Sequence, residues 1–195
     1  MGPIRRDQIC RAAAAVIARN GFGKTTMRIV AEEAGVSTGM LNHYFANREQ
    51  LLNQTLTYVA ERSQRRYEAA IDGAPAGRRR LEALLDSVLG ADAEALETWR
   101  VWIAASGEAV HIASLRRTIE ERLTEWFRLV ERALEGVVEQ VAPPGAVPWT
   151  WRIDALLTGL TTLAMSSELE LGAAEIREEV VRMVLAGEAE RALTR

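Results

Sequence analysis

Apolar residues recur at intervals of three or four positions along most of the chain, the spacing that places them on one face of an α-helix. Nine helices are predicted from this pattern, at about residues 5–20, 26–34, 37–45, 47–67, 81–88, 96–103, 112–137, 149–169 and 173–189. No run of alternating polar and apolar residues is long enough to indicate a strand. The sequence therefore predicts an all-α fold, with a break around residues 73–77, where glycine and proline cluster.

The second and third predicted helices are short, and a tight turn joins them. Gly35 allows the sharp turn at little steric cost, and Ser37 is a favourable N-cap for the third helix. Because the third helix is too short to be stable alone, Leu41 and Phe45 are expected to anchor it against neighbouring helices. The arrangement is typical of a helix-turn-helix, located between Thr25 and Phe45.

The other face of the third helix then points outward. It presents Thr38, Gly39, Met40, Asn42 and His43, which are small, flexible or hydrogen-bonding residues. Such groups suit base edges and phosphates in the major groove of DNA. Glycine costs a helix roughly 1 kcal/mol relative to alanine, and close approach of the backbone to DNA would compensate for that cost at Gly39. The alternatives are that Gly39 only marks a weak helix and that Asn42 and His43 are ordinary surface residues.

The charge of the chain is unevenly distributed, although its total is only −3. Residues 1–50 carry a net charge of +3, and the remaining residues carry a net charge of −6. A basic head on an acidic body favours approach of the head to a polyanion such as nucleic acid. A difference of this size could also arise by chance from solvated helix faces.

The residues from Ala31 to Leu52 read AxxAGVSxGxLxxYFxxRExLL, and this pattern resembles the DNA-binding domain of TetR-family repressors. STGMLNHYF, taken with WRVWIAASGEAV and LRRTIEERL further along, is similar to the BetI-like branch, which includes repressors of choline and betaine metabolism. The resemblance implies a three-helix DNA-binding domain over residues 1–47 and a helical effector-binding and dimerisation domain over residues 48–195. It also implies a sequence-specific transcriptional regulator, a repressor that a small-molecule effector releases from a palindromic DNA operator.

Individual residues can be carried over from this resemblance. Thr26, Tyr44 and Arg48 match positions that grip DNA phosphates, with Arg48 in place of the family's typical lysine. Thr38, Gly39, Asn42 and His43 match positions that face the groove, and Arg28 matches one that sometimes reaches a base. The candidate DNA-binding residues are Thr26, Arg28, Ser37, Thr38, Gly39, Met40, Asn42, His43, Tyr44 and Arg48. Two alternatives stay open, Thr26 as only the N-cap of the second helix and Tyr44 as a core ring.

A homodimer is expected, because one helix-turn-helix alone binds DNA too weakly for genomic discrimination. The last two predicted helices carry apolar stripes that could pair with those of a second copy as a four-helix bundle. The candidate interface residues are Leu156, Gly159, Leu160, Leu163, Ile176, Val180 and Val184. The alternative is that these stripes serve only the internal core.

Aromatic residues are concentrated in the middle of the chain, and its five tryptophans are more than a core of this size needs. The candidate effector-binding residues are Tyr67, Trp99, Trp102, Glu108 and Trp126. Tryptophan faces with a nearby carboxylate suit a cation or a flat aromatic compound, and the BetI-like resemblance favours the cation. The alternative is that these rings only fill a core.

Enzymatic function finds little support in the sequence. The chain has two histidines and one cysteine, and it lacks metal-ligand spacing, a phosphate-binding glycine loop and a nucleophile elbow. No catalytic activity, cofactor or metal is therefore expected. A carboxylate site built from Glu94, Glu97 and Glu108 is the enzymatic alternative, and a helical scaffold that has lost DNA binding is the other.

A cytoplasmic protein without a membrane span is expected. The apolar stretch from Ile153 to Met165 is too short to cross a bilayer. The first residues are charged where a signal peptide would need an apolar run, and Cys10 has no partner for an intramolecular disulfide. We therefore expect Cys10 to be a small packing residue.

Overall fold

The computed structural model describes residues 6–138, 147–167 and 170–193 of the chain. Within these ranges the chain forms nine α-helices and no strand, as the apolar spacing predicts. The helices are α1 Arg6–Asn20, α2 Met27–Ala34, α3 Thr38–Tyr44, α4 Arg48–Asp72, α5 Arg78–Val88, α6 Ala93–Ala109, α7 Ala113–Leu134, α8 Trp149–Ser166 and α9 Ala173–Leu193. None of the described helices combines the length and the apolar character that a membrane-spanning helix needs.

Several helix boundaries differ from the predicted ones, and two of these differences have identifiable reasons. α7 ends before residue 137 because Gly136 adopts a left-handed backbone conformation with φ 74°. The preceding carbonyl, of Glu135, accepts the backbone N–H of Gly77 at 3.0 Å, so two chain segments meet there. α6 begins earlier than predicted because the side chain of Asp92 caps it, accepting a backbone N–H of the first turn at 2.9 Å. The predicted end of the eighth helix, at residue 169, lies outside the described residues.

The chain divides into two compact units. The first comprises the described parts of Met1–Gln64 and Asp92–Leu123, and the second those of Arg65–Ala91 and Thr124–Arg195. α4 and α7 each contribute residues to both units. The boundary predicted at residue 47 separates a DNA-binding part of the chain from an effector-binding and dimerisation part. It divides the chain by function rather than by packing, and it stays a prediction.

The core of the first unit lies on two sides of α1. On one side Ile9, Ala13 and Val16 pack with residues of α2, α3 and α4. On the other side Ala14 and Ile17 pack with residues of α4, α6 and α7. The run of alanines in α1 allows helices to approach it closely on both sides. The helix-turn-helix and α6 therefore pack against the same helix.

In the second unit α9 packs against both α5 and α8. α5 contributes a fully buried leucine-rich stripe. On α9, Ile176, Val180 and Val184 are buried within the chain itself. These three candidate interface residues therefore fill the internal core, which is the alternative that their pattern left open.

Candidate nucleic-acid interface

The turn between α2 and α3 has the geometry that its sequence predicts. Gly35 ends α2 in a left-handed conformation with φ 67°. The next N–H, of Val36, donates to the carbonyl of Ala31 at 2.9 Å, which satisfies a carbonyl at the helix end. Ser37 then caps α3, because its hydroxyl accepts the N–H of Met40 at 3.1 Å. The angle between the two helices is thus fixed by residues close in sequence.

α3 is held from behind and at its C-terminal end. Leu41 and Phe45 are completely buried, which confirms their predicted role as anchors. Arg6 of α1 donates to the carbonyl of Tyr44 at 3.2 Å, and its guanidinium lies 5.6 Å from the centre of the Phe45 ring. A cation beside the C-terminus of a helix is electrostatically favourable. Arg6 was not predicted, since its contact spans 38 residues and leaves no local signal.

The opposite face of α3 is exposed to solvent, as expected. It presents Thr38, Gly39, Met40, Asn42 and His43. Tyr44, at the edge of this face, is half-buried against the helix-turn-helix core, and its ring meets that of His43 edge to face at 5.7 Å. A methyl group at Gly39 would contact only the Ser37 hydroxyl, at an ordinary 3.8 Å. Packing within the chain therefore does not require glycine at this position.

Thr26 and Arg28, at the start of α2, both have partners within the chain. The hydroxyl of Thr26 accepts the N–H of Ile29 at 3.3 Å, so Thr26 is the N-cap of α2, and its contact with a DNA phosphate stays a prediction. Arg28 forms an exposed ion pair with Glu32 at 2.7 Å, one turn along the same helix. Exposed pairs of this kind are weak. Both side chains are exposed on the surface, and both lie close to α3 in the sequence. Neither contact prevents binding to DNA.

Arg48, at the start of α4, makes contacts that the resemblance does not suggest. Its Nε donates to the carbonyl of Thr25 at 2.6 Å, and its Nη2 donates to the carbonyl of Phe22. The side chain is half-buried. The resemblance implies a phosphate contact here, whereas in the folded chain the guanidinium binds the backbone that precedes α2.

Two side chains cap the start of α4. Asn47 accepts the N–H of Gln50 at 2.8 Å through its side-chain oxygen. Gln50 in turn accepts a backbone N–H at 2.6 Å, but from Ala46 rather than from Asn47. The reciprocal capping arrangement is therefore present, shifted by one residue, and it rigidifies the connection from α3 to α4.

The candidate effector-binding residues fall into both compact units. Trp99, Trp102 and Glu108 lie on α6 in the first unit, where Trp102 packs against the core beside α1. Tyr67 and Trp126 lie in the second unit, and their rings meet edge to face with centroids 5.8 Å apart. The structure thus brings together one pair of the five, on α4 and α7.

Asp154 on α8 joins this second-unit pair, although sequence reasoning did not select it. Burial raises the pKa of its carboxyl group, and the proximity of the Trp126 side chain lowers it by a smaller amount. Among the described residues no basic side chain forms an ion pair with Asp154. Asp154 is the single acidic residue within the apolar stretch of α8, and this feature of the sequence could have indicated it. A desolvated carboxyl beside aromatic rings is suited to pairing with a cation.

Two of the three glutamates behind the enzymatic alternative, Glu94 and Glu97, form ion pairs with one arginine. Arg62 binds Glu97 at 2.8 Å and Glu94 at 3.2 Å.

Burial raises the pKa of Cys10 to about 11, so its thiol stays protonated and unreactive at neutral pH. Within the described ranges no group of three or more histidine, cysteine, aspartate or glutamate side chains could hold a metal ion.

The candidate dimer residues on α8 differ from those on α9 in their exposure. Leu163 is 49% exposed, and Leu156 and Leu160 are half-buried. Gly159 is exposed, and a methyl group there would meet nothing within 4 Å. Trp151, which was not predicted, is 60% exposed and stacks on the ring of Phe127. The outward face of α8 is therefore available to a partner.

The chain is similar to known regulators along most of its length. Residues 9–55 match the family of bacterial regulatory proteins called the tetR family, and residues 77–189 match the C-terminal part of BetI-type transcriptional repressors. The transcriptional regulator BetI from Vibrio parahaemolyticus is 30% identical over 139 residues, which cover 69% of this chain and 70% of that protein. The first matched range contains every candidate DNA-binding residue.

The fold is shared with solved structures of other transcriptional regulators. A TetR-family transcriptional regulator from Rhodococcus sp. superposes with a TM-score of 0.77 at 25% identity, covering 94% of this chain and 97% of that chain. A transcriptional regulator from Saccharomonospora viridis in complex with choline gives a TM-score of 0.76 at 18% identity, covering 92% of this chain and 94% of that chain. The second likeness concerns the fold alone.

Proposed function

Because the chain belongs to the TetR family of bacterial regulatory proteins, with a C-terminal part of the BetI type, it is a DNA-binding transcriptional regulator, and we propose the way in which it recognises DNA and responds to a ligand. The chain acts as a homodimeric repressor that binds a palindromic operator and leaves it when a small cation binds. The outward face of α3 carries this proposal. Its side chains are exposed, while Leu41 and Phe45 and the contact from Arg6 hold the helix from behind.

The DNA-binding residues divide into those that read bases and those that hold phosphates. Asn42 and His43 offer the hydrogen-bonding groups that distinguish base pairs in the major groove. Met40, 45% exposed, offers an apolar surface of the kind that contacts thymine methyl groups. Thr26 and Tyr44 lie at the edge of the surface and bind phosphates, which fix position rather than sequence.

Selection of bound sequences from a random pool of duplex DNA tests this function directly. We expect enrichment of a palindromic site whose half-sites lie one helical turn apart, about 34–36 Å, or a multiple of that distance. A chain with Asn42→Ala and His43→Ala serves as the control and is expected to enrich no sequence. If the unmodified chain also enriches none, it is the helical scaffold that the sequence left open as an alternative.

The dimer forms through the outward face of α8. Trp151, Gly159 and Leu163 lie at intervals of four or eight residues, so they share one side of the helix, with Leu156 and Leu160 at its margin. Gly159 at the centre allows a second α8 to approach closely. Ile176, Val180 and Val184 are left out of this interface because they are buried in the internal core.

Sedimentation of three chains tests this interface. We expect a dimer for the unmodified chain and a monomer for Leu163→Glu, since a charge at the interface would be desolvated. Val110→Glu is the matched control, because Val110 is also an exposed apolar residue, 66% exposed, but lies outside α8. A dimer in all three cases would place the interface elsewhere, and a monomeric unmodified chain would contradict the dimer itself.

The effector is a small organic cation held by Tyr67, Trp126 and Asp154. Its charge would compensate the half-buried carboxyl group, and it would contact the face of the Trp126 ring and the face of the Tyr67 ring opposite the Arg66 guanidinium, which lies 5.5 Å from the Tyr67 ring centre. The choline bound to the regulator from Saccharomonospora viridis supports choline as the first compound to test. To cause release, the cation must bind the DNA-free conformation more tightly than the DNA-bound one.

Tryptophan fluorescence and operator binding, followed together, test the effector. We expect choline to change the fluorescence and release the operator, and its uncharged analogue 3,3-dimethyl-1-butanol to do neither. Release by the neutral analogue or by flat aromatic compounds alone would contradict a cationic effector. Fluorescence changes without operator release would contradict the regulatory role of the cluster.

A further inference from the structure

The turn between α1 and α2, residues 21–25, is closed by its own hydrogen bonds. Phe22 and Thr25 are buried, whereas the two residues between them are exposed. The hydroxyl of Thr25 donates to the carbonyl of Gly21 at 2.8 Å, and its N–H donates to that of Phe22 at 3.1 Å. We refer to residues 21–25 as the α1–α2 turn. Because Thr26 caps α2 directly after it, the position of this turn determines where α2 begins.

Arg48 binds this turn from the first residue of α4. The guanidinium donates through Nε to the carbonyl of Thr25 at 2.6 Å and through Nη2 to the carbonyl of Phe22. The two acceptors lie at the two buried positions of the turn. Hydrogen bonds from a charged donor are stronger than those between neutral groups, and the two nitrogen atoms of one planar group fix its orientation.

The first turns of α4 are also held on the side of α7. Ser114 donates to the carboxylate of Glu49 and accepts from the Asn53 amide at 3.1 Å. The Asn53 carbonyl oxygen accepts the hydroxyl of Thr118 at 2.8 Å. The neighbours of Arg48 on α4 are therefore fixed to the start of α7. The position of Arg48 is thus well defined before it contacts the α1–α2 turn.

The end of α6 meets the α1–α2 turn as well. A methyl group at Gly23 would lie 3.6 Å from Oε1 of Glu108, in the last turn of α6. α4 and α6 thus both reach the short segment that sets the start of α2. A displacement of either helix relative to α1 would change the position of the helix-turn-helix without any change within it.

We propose that Arg48 is a positioning residue and not a phosphate contact. It holds the α1–α2 turn at a fixed place relative to α4, and in this way it sets the orientation of α2 and α3 in which the regulator fits its operator. This inference rests on the proposed DNA-binding function. Because α4 continues without a break from Arg48 to Asp72 and contributes to both compact units, its movement is passed to the turn through the Arg48 contacts.

Two substitutions distinguish positioning from phosphate binding. Arg48→Met removes both the charge and the donors, and Arg48→Lys keeps the charge but lacks the planar group that binds through two nitrogens. A bond from Arg48 to a phosphate would be visible in the salt dependence of DNA affinity, because each neutralised phosphate contributes about 0.9 to the logarithmic slope. For a positioning residue the slope on random DNA stays that of the unmodified chain in both variants.

The ratio of operator affinity to random-DNA affinity gives the second readout. We expect this ratio to fall about tenfold in Arg48→Met and by a smaller factor in Arg48→Lys, within the range observed for residues that couple two sites. Lys24→Met is the matched control, since Lys24 is an exposed cation in the same turn, and it should leave the ratio unchanged. A reduced slope with an unchanged ratio in Arg48→Met would overturn the proposal.

Amide hydrogen exchange supplies a readout that needs no DNA. In Arg48→Met we expect the amides of Ile29 and Val30 in α2 to exchange about tenfold faster, while those of α5 and α9 keep their rates. Unchanged exchange in α2 would overturn the proposal, and faster exchange throughout the chain would overturn it too, by showing a general loss of stability instead. If the unmodified chain binds no DNA, the proposed function fails, and the exchange experiment still decides whether Arg48 positions α2.

Discussion

The polar groups of α3 and those of the cluster of Tyr67, Trp126 and Asp154 differ in their exposure to solvent. On α3 the hydrogen-bonding side chains are exposed, and the apolar anchors lie behind them. In the cluster a half-buried carboxyl group lies beside the Trp126 side chain, whose ring meets that of Tyr67. Exposed groups can exchange water for base edges at little cost, whereas a half-buried carboxylate carries an unfavourable desolvation energy that a cation can remove.

Because of this difference, the two regions should respond differently to mutation. A substitution on the outward face of α3 should change the affinity for DNA and leave folding almost unaffected. A substitution at the buried carboxyl should change folding stability, pH dependence and ligand binding together. If substitutions in the two regions change the same properties, this difference between the regions does not hold.

The largest effect is expected behind α3, at Phe45. Phe45→Ala removes a fully buried ring, which typically lowers the free energy of unfolding by about 3–5 kcal/mol. Denaturant unfolding followed by circular dichroism measures this loss. Val110→Ala, at a position that is 66% exposed, is the control and should change the stability by less than about 0.5 kcal/mol. Equal losses for the two variants would contradict the anchoring of α3.

The next largest effect is expected on its outward face. Asn42→Ala and His43→Ala should each weaken binding to the selected operator by about 1–3 kcal/mol, because alanine cannot form the hydrogen bonds to base edges. Affinity for random DNA and the unfolding free energy should stay nearly unchanged. Fluorescence anisotropy measures the two affinities, and denaturant unfolding measures the stability.

His111→Ala provides a matched control for the histidine variant. His43 and His111 are the two histidines of the chain, and both are exposed, but His111 lies between α6 and α7. We expect no change in operator affinity for His111→Ala. Equal losses on operator and random DNA for Asn42→Ala and His43→Ala would contradict a role in reading bases.

A smaller effect is expected at the buried carboxyl, and its sign depends on pH. The unfolded chain releases the Asp154 proton near the ordinary carboxyl pKa, whereas the folded chain releases it at higher pH. The folded chain therefore binds more protons in this window, and stability falls as pH rises through it. Asp154→Asn should raise the melting temperature at pH 7 by roughly 2–4 °C, the shift that 1 kcal/mol produces in a chain of this size.

A comparison of the variant and the unmodified chain at low pH is the control for this substitution. Below the ordinary carboxyl pKa, Asp154 is protonated in both states, so the Asp154→Asn variant and the unmodified chain should melt at the same temperature. Choline should raise the melting temperature of the unmodified chain at pH 7 and have no effect on the variant. A stability difference that is independent of pH would show that Asp154 acts through packing rather than through its charge.

The smallest effect is expected from Gly39→Ala, for which stability and affinity for DNA should change in opposite directions. The added methyl group meets no close atom within the chain, so the helix should gain up to about 1 kcal/mol in stability. Operator affinity should fall, since the methyl group would occupy the space of the approaching DNA backbone. Increased stability with unchanged affinity would show that Gly39 does not lie close to the DNA.

Features set by neighbouring residues could be predicted from the sequence. Gly35 and Ser37 define the turn before α3 through contacts that span at most five residues. The exposed face of α3 follows from Leu41 and Phe45 by helical spacing. The nine helices of the described ranges follow in the same way, because each has an apolar stripe or a recognisable break at its end.

Features set by distant residues could not be predicted. Arg48 reaches carbonyls 23 and 26 residues away, and Arg6 reaches one 38 residues away. The stripe on α9 gave no indication of whether it faces a partner or the internal core, because both surfaces are apolar. The burial of Asp154 depends on how α8 packs against other elements, and the sequence of α8 alone does not contain that information.

The central claim is that α3 reads a DNA sequence. It is tested most directly by the affinity of the unmodified chain for the selected operator relative to random DNA at one salt concentration. We predict that the operator binds at least about 1,000-fold more tightly, as specific sites of such regulators do. Equal affinities for the two DNAs would contradict the claim.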